Sequence, residues 1–352
     1  MMSTFRSVQS VGGLIVALIM LLSVSAGASA ADPIPLGKSR EPLLDTFLID
    51  RMEGAAEHRL HRPIAREVVL RTDEPWEGNT CGYFTIFRDG AKYRMYYRGS
   101  HYSDHRHHQL VCYAESNDGI HWRKPDLGLV EFDGSKDNNI IWPNSQLAHA
   151  FVPFKDTNPE VTPDAKYKAV APGKLHPDGE KGLCVLRSAD GINWQLMHDE
   201  PVITEGKMDS QNLAFWDAHE GEYRAYWRAF RNGVRDIKTA TSDNFLSWSD
   251  PRWLEYPGAG KEHLYTNQVM PHPRAPHVLI GFPTRFIRAG RGDLTEGLFM
   301  SSRDGVTFHR WAEALIPPGP GSGKWQNRSN YIWWGLVETE SHLDGAPPEW
   351  SL

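Results

Sequence analysis

The sequence predicts an all-β chain folded as a five-bladed β-propeller, and three observations carry that prediction. First, a turn recurs four times after a strand-like run: Ser116-Asn117-Asp118-Gly119-Ile120-His121-Trp122, Ser188-Ala189-Asp190-Gly191-Ile192-Asn193-Trp194, Thr241-Ser242-Asp243-Asn244-Phe245-Leu246-Ser247-Trp248 and Ser302-Arg303-Asp304-Gly305-Val306-Thr307-Phe308. Second, the acids at 118, 190, 243 and 304 lie 72, 53 and 61 residues apart, which suits four-stranded blades with variable loops better than a solenoid of fixed period. Third, 13 Trp and 31 Gly supply the packing between sheets and the tight turns that such a fold needs. In each turn the Ser and Asp oxygens accept from backbone N–H groups, Gly supplies a positive φ, and the aromatic packs between sheets. The motif is therefore read as a fold signal and not as a site.

Residues 1–30 read as a signal peptide, with Arg6, an apolar stretch from Val11 through Leu22, and Ala28-Ser29-Ala30 ahead of Ala31. The apolar run is interrupted by Gly12 and Gly13 and is short for a bilayer span of about 20 residues. The mature chain is expected to begin near Ala31 and to be secreted or periplasmic, without stable membrane insertion. Residues 31–72 read as a strap around the propeller, with a lead-in strand in the apolar run 43–49.

The propeller itself is assigned to 73–352. Strands are expected at 83–87, 93–98 and 110–116 in the first blade, and at 150–154, 167–170 and 183–188 in the second. The third blade takes 213–216, 223–228 and 237–241, and the fourth 268–270, 278–282 and 297–301. Asp89-Gly90 between the first two strands is a hairpin signal. Residues 310–315 read as a short helical turn. A Pro/Gly loop at 317–321 precedes 331–338, which opens a fifth blade with 14 residues to follow. That last blade is expected to be incomplete or closed by strands from the N-terminal strap, since an open sheet edge invites association.

The formal charge of −6 becomes −7 without residues 1–30, and nothing in it recruits nucleic acid. Three cysteines are too few for a disulfide framework. Either one bridge forms, Cys81 with Cys112 being the readiest pair, or all three remain thiols.

The repeated turns, the hairpin Asp89-Gly90-Ala91-Lys92-Tyr93-Arg94-Met95-Tyr96-Tyr97 and the segment Met208-Asp209-Ser210-Gln211-Asn212 resemble the five-bladed propeller glycoside hydrolase superfamily. That superfamily includes the arabinanase/xylosidase, invertase/levansucrase and mannoside-phosphorylase families, and the resemblance spans roughly 73–338. It implies catalytic carboxylates where the innermost strand of a blade begins, because those ends converge on an axial pocket. Glu77, Asp209 and Glu262 stand at such positions in blades one, three and four. The second blade departs from the pattern, offering Asn144, Gln146 and His149 and no acid.

The implied chemistry uses two carboxylates, one protonated to assist the leaving group and one ionised to activate water or attack. Gln211, Asn212 and Asn267 are candidates to hold sugar hydroxyls, and Trp76, Trp325, Tyr265 and His149 to form the walls of a sugar pocket. Arg285 and Arg328, at blade-four and blade-five positions, would read an acidic or sulfated sugar. The run His101-Tyr102-Ser103-Asp104-His105-Arg106-His107-His108 is a further candidate for a divalent cation, although a solvated loop is the simpler reading and no metal site is assigned. Asn327-Arg328-Ser329 matches a glycosylation sequon. The expectation is an exported enzyme cleaving glycosidic bonds of a polysaccharide or oligosaccharide, without an organic cofactor. The alternative is a carbohydrate-binding propeller without catalysis.

Overall fold

The computed structural model describes residues 34–101, 109–143, 145–289, 292–319 and 329–352. The signal-peptide segment 1–30 lies outside these residues. Arg40–Leu352 forms one compact unit and holds the strands of the described residues.

The first sheet runs β1 (Gly82–Asp89), β2 (Lys92–Ser100), β3 (Gln109–Ser116) and β4 (Trp122–Arg123), with β5 (Ile140–Trp142) added on β3. The second runs β6 (Val152–Lys155), β7 (Tyr167–Gly173), β8 (Gly182–Ser188) and β9 (Gln195–Leu196). The third runs β10 (Leu213–Asp217), β11 (Glu222–Arg231), β12 (Val234–Ser242) and β13 (Arg252–Trp253). These three follow the strand order expected from the hydrophobic alternation. Each neighbouring pair is antiparallel, as two-residue hairpins such as Asp89–Lys92 allow.

The fourth sheet departs from expectation. Its order is β15 (Met270–His272), β16 (Ala275–Gly281), β19 (Met300–Ser302) and β20 (Phe308–Arg310). Between its second and third strands the chain leaves to form β17 (Thr284–Ala289) and β18 (Gly292–Gly297), which make a separate sheet with β14 (His263–Leu264). Charged residues obscure this hairpin in the sequence. Arg285 lies opposite Glu296 and Arg288 opposite Asp293, so each cation faces an acid across the strands. The expected helical turn at 310–315 is absent, because Arg310 ends β20 and irregular chain follows.

The last sheet has two strands, β21 (Val337–Thr339) and β22 (Glu349–Ser351). The strap gives it nothing, for residues 40–72 contain no strand. In the apolar run 43–49 the Asp45 carboxylate accepts from the Phe47 N–H at 3.0 Å, a local bond that turns the chain where a lead-in strand was expected. The strap lies against the fourth sheet. Glu41 meets His277 at 2.8 Å and Arg303 at 3.0 Å, and Leu44 and Leu60 pack on Ile280, Phe282 and Phe299. The last segment instead meets the first sheet: Ile86 N–H donates to Trp334 O at 2.8 Å and Trp334 N–H to Phe84 O at 3.2 Å.

The repeated turns latch consecutive sheets together in a propeller-like series. In the second copy Ser188 Oγ accepts from Gly191 N–H at 2.8 Å, Asp190 Oδ1 accepts from Ile192 and Asn193 at 2.8 Å each, and Trp194 donates to Gly191 O at 3.1 Å. Tyr96 of the first sheet then donates to Gly191 O at 2.9 Å, and Tyr226 of the third does the same to Gly305 O at 2.9 Å. The third copy is corrected by one residue. Asn244, not Asp243, accepts from Leu246 and Ser247, at 2.9 and 2.8 Å, and Phe245 takes the glycine's place with φ of 67°. A left-handed non-glycine costs about 1–2 kcal/mol. Here Phe245 packs 5.6 Å from the Phe154 ring and 5.1 Å from Tyr223, which offsets that cost.

Gly191 has φ of +79°, and a Cβ there would lie 2.8 Å from Tyr96 Oη and 2.9 Å from Arg94 Nη1. Gly191→Ala is therefore expected to cost about 1–3 kcal/mol through backbone strain and loss of the Tyr96 latch. The cost should appear as a lower urea midpoint at unchanged m. An unchanged midpoint would remove the latch from the fold's stabilising contacts.

All three cysteines are free thiols, and Cys81 Sγ donates to Arg98 O at 2.8 Å. Burial pushes Cys81 and Cys184 up to about 12, so neither is a thiolate near neutral pH. Among the described residues no helix is long and apolar enough to cross a membrane.

Candidate active site

Buried amides link the beginnings of the first strands of three sheets. Gln211 donates to Phe84 O at 2.8 Å and to Thr85 Oγ1 at 3.1 Å, while Gln268 donates to Gln211 Oε1 at 2.7 Å and Ile332 O at 3.1 Å. Both glutamines are 0% exposed. These amides thus join the first, third and fourth sheets and the last segment through side chains that satisfy backbone groups.

A cavity of about 240 Å³ is lined by Gln109, Gln146, His149, Lys181 and Asp209, with Pro172 and Met208. Asp209 precedes β10 and its side chain is 66% exposed, while His149 precedes β6 and brings Nε2 to 2.6 Å from Asp209 Oδ1. That contact holds the Asp209 carboxyl down to about 2, helped by the charges of His149, Arg228 and Lys181 against the opposing effect of burial. Asp209 is thus ionised at any pH above about 4.

An aromatic and cationic wall adjoins the pair. Tyr83 Oη lies 3.2 Å from Tyr265 Oη, and Arg98 covers the Tyr83 ring at 4.7 Å while its Nη1 reaches His149 Nδ1 at 3.3 Å. Arg228 covers Tyr265 at 4.8 Å, and Trp333 sits 5.6 Å from Tyr83 and stacks on Tyr331 at 5.0 Å and 6°. Burial first, and then Tyr265, raises the Tyr83 phenol well above its ordinary value, so it stays protonated and able to donate. Tyr83 and Gln268 adopt φ of 56° and 49°, left-handed conformations that cost about 1–2 kcal/mol each. Such strain concentrates at ligand-facing positions.

The three acids proposed from the sequence have different surroundings. Glu77 is 0% exposed and spent on blade-one packing: it accepts from Tyr97 at 2.5 Å, from Lys124 at 2.8 Å and from the Glu74 N–H at 2.9 Å. A carboxylate so enclosed has no free oxygen for a substrate. Glu262 is clamped between Arg285, at 2.8 Å, and Arg310. Of the three, Asp209 alone lines the cavity.

The proposed sugar ligands divide in the same way. His149 lines the cavity, but Asn212 and Asn267 are 0% exposed. Asn212 donates to Met208 O and Ser210 O, at 3.0 and 2.9 Å, and accepts from the Arg228 N–H at 3.0 Å. Asn267 donates to Tyr226 O at 3.4 Å and accepts from the Val269 N–H at 3.2 Å. Buried chain needs partners for its backbone, and these amides supply them. Trp76 donates to Asn139 Oδ1 at 2.7 Å and packs with the Cys112 and Ile140 cluster of the first sheet. Arg285 is held by Glu262 and Glu296. Arg328, Trp325, Asn327 and all but the first residue of the run 101–108 lie outside the described residues, as does Asn144. Among the described residues no three His, Cys, Asp or Glu side chains converge as a metal site.

The sequence reading missed Arg98 and Arg228. The signal is a matched pair of second strands, Arg94-x-Tyr96-x-Arg98 and Arg224-x-Tyr226-x-Arg228, whose last arginine covers a tyrosine ring of this wall in both.

His149→Gln is expected to raise the Asp209 titration from about 2 toward the ordinary carboxylate value of about 3.9. The folded value lies below the unfolded one, so this contribution to stability is complete above about pH 4 and is lost as pH falls through about 2. A carboxyl-carbon NMR titration of both proteins checks it. Identical Asp209 midpoints would dissociate His149 from the shift.

No family profile and no curated protein sequence matches the chain. Solved structures do. An N-acetylgalactosamine deacetylase from F. plautii, in complex with blood group B trisaccharide, is similar at a TM-score of 0.50 and 14% identity, over 78% of this chain and 75% of that one. The endo-arabinase of Bacteroides thetaiotaomicron gives a TM-score of 0.46 and 10% identity over 69% and 84%. A structure from the mannoside phosphorylase family, reported to contain glycoside hydrolases that target β-1,2 mannosidic linkages in Candida mannan, gives 0.47 and 15% over 82% and 89%. At these identities the likeness to the deacetylase is one of fold.

Proposed function

We propose that this chain is an exported, glycosidase-like enzyme that cleaves glycosidic bonds of a polysaccharide or oligosaccharide at the axial cavity. The observation that carries the reading is the Asp209–His149 pair, 2.6 Å apart at the starts of two neighbouring blades and open to a cavity of about 240 Å³. Cleaving an acetal requires a negative group facing the anomeric carbon or its water, and a proton for the departing oxygen. Asp209, held ionised, serves the first need. His149, whose Nε2 lies against that carboxylate, serves the second. The reading moves the proton donor away from a second carboxylate, because Glu77 is enclosed and Glu262 is neutralised by two arginines. The partly exposed rings of Trp333 and Tyr265, which pack around the buried Tyr83, adjoin the pair and are the candidates for a sugar to stack on.

Two further elements belong to the same proposal. The segment 331–336 with β21 and β22 counts as a fifth blade, supported by its backbone bonds to β1. Export rests on Arg6, the apolar stretch 11–22 and Ala28-Ser29-Ala30.

A second reading, a carbohydrate-binding propeller without catalysis, is favoured by the same locking of Glu77 and Glu262. The test is a screen of the purified chain against plant and algal polysaccharides and aryl glycosides, read as new reducing ends or released aglycone. Release from any member supports cleavage. Retained binding with no release from the whole panel would leave the binding reading in its place.

A further inference from the structure

Two arginines packed on Tyr265, one of which adds its charge at Asp209, form no ion pair within 4 Å among the described residues. Arg228 on β11 is 4% exposed; its Nε donates to Lys207 O at 2.8 Å, and its two terminal nitrogens donate to nothing among the described residues. Arg235 on β12 is wedged among three rings, 4.4 Å from Phe286, 5.4 Å from Phe230 and 5.9 Å from Tyr265. Its Nε and Nη1 are shielded from solvent without a hydrogen-bond partner. Burial lowers the Arg235 pKa, and the neighbouring charges of Arg228 and Arg288 lower it further.

Other buried cations among the described residues are paired with acids, Arg94 with Asp89, Lys168 with Asp156, Arg224 with Asp217 and Arg310 with Glu262, whereas Arg98 meets His149 and Thr80 O. A protein of formal charge −6 has acids to spare, yet the nearest ones, Asp209 and Asp293, act on these arginines only at longer range and pair with neither. Desolvating two like charges side by side is costly unless an anion joins them. The three rings fix the Arg235 plane by cation–π contact, and a fixed guanidinium fork suits a planar or tetrahedral oxyanion. Arg228 also contributes its charge at Asp209, so it acts on the proposed catalytic carboxylate.

We infer that Arg228 and Arg235 form an anion subsite of the cleft, and that the sugar bound beside Asp209 carries an oxyanion, a uronate carboxylate or a sulfate ester. The inference rests on the reading of the cavity as a carbohydrate site. It replaces Arg285, which Glu262 and Glu296 already neutralise.

Binding to full-length Asp209→Asn protein separates this from catalysis. The probes are oligogalacturonate and its carboxyl-reduced form, a sulfated galactan oligosaccharide and its desulfated form, and inorganic phosphate, each followed by calorimetry. The charged member of one pair should bind at least about tenfold more tightly, the scale of a charge-assisted hydrogen bond. Whether the uronate or the sulfate pair shows the preference identifies the oxyanion. Arg235→Met, which keeps an apolar stem among the rings, should abolish the preference, and Arg235→Lys should keep part of it. Equal affinities within both pairs, a preference that survives Arg235→Met, or binding of inorganic phosphate alone would each overturn the inference. An intact preference in a protein that cleaves nothing would sink the enzymatic reading only; cleavage of neutral glycans with no preference would sink this one only.

Discussion

Asp209→Asn is expected to lower kcat on a cleaved glycan by about 10²–10⁴-fold, the range that one positioned acid–base group supplies. The amide keeps the shape of the side chain but carries no negative charge, so it neither activates water nor stabilises positive charge at the anomeric carbon. Stability should hardly move, because the side chain is 66% exposed and surface substitutions usually stay within about 0.5 kcal/mol. The measurement is initial rate against the substrate found by screening, with the urea midpoint recorded on the same preparation. Wild-type turnover in the variant would take Asp209 out of the chemistry. Lost turnover with a lowered midpoint would mean only that the fold was damaged, a result that Asp209→Ser, which is smaller and equally uncharged, would help to separate.

The largest stability effect is expected away from the cleft, at Asp156. This residue is fully buried, accepts from Tyr223 Oη at 2.7 Å and from the Asn158 N–H at 2.9 Å, and is ion-paired to Lys168. Lys168 in turn donates to Tyr223 Oη at 2.9 Å and lies 4.9 Å from that ring, so the pair ties the second sheet to the third. Asp156→Ala strands a buried ammonium and should cost about 3–5 kcal/mol. Replacing both members, with Asp156→Leu and Lys168→Met, should recover most of that loss, because the larger part of it is an uncompensated charge and not a lost attraction. Urea denaturation of the two variants checks both statements. A single variant that loses under about 1 kcal/mol would contradict the argument.

The same electrostatics explain why an acid in the right sequence position need not be a catalytic one. Glu77 and Asp209 both precede a first strand, and both read as candidates. Glu77 has Lys124 and Tyr97 packed over it, and Asp209 has a cavity. The cation that encloses Glu77 lies 47 residues away in the chain, and the imidazole that meets Asp209 lies 60 residues away, so neither environment was readable locally.

By itself the sequence determined the turns, the strand order of the first three sheets and the positions where inner strands begin. The physical reason is range: Ser188, Asp190, Gly191 and Trp194 bond one another within seven residues, and strand alternation is a nearest-neighbour property. Even there a local ambiguity survived. Asp243 and Asn244 are both good turn acceptors, and Phe245 won the glycine's place through rings on two other strands. Only the tertiary structure decided which polar groups face the cleft. Gln211, Asn212 and Asn267 were drawn into the interior because buried backbone must be satisfied first, whereas Arg228 and Arg235 were left unpaired by the packing of Tyr265 and Phe286 from a different sheet.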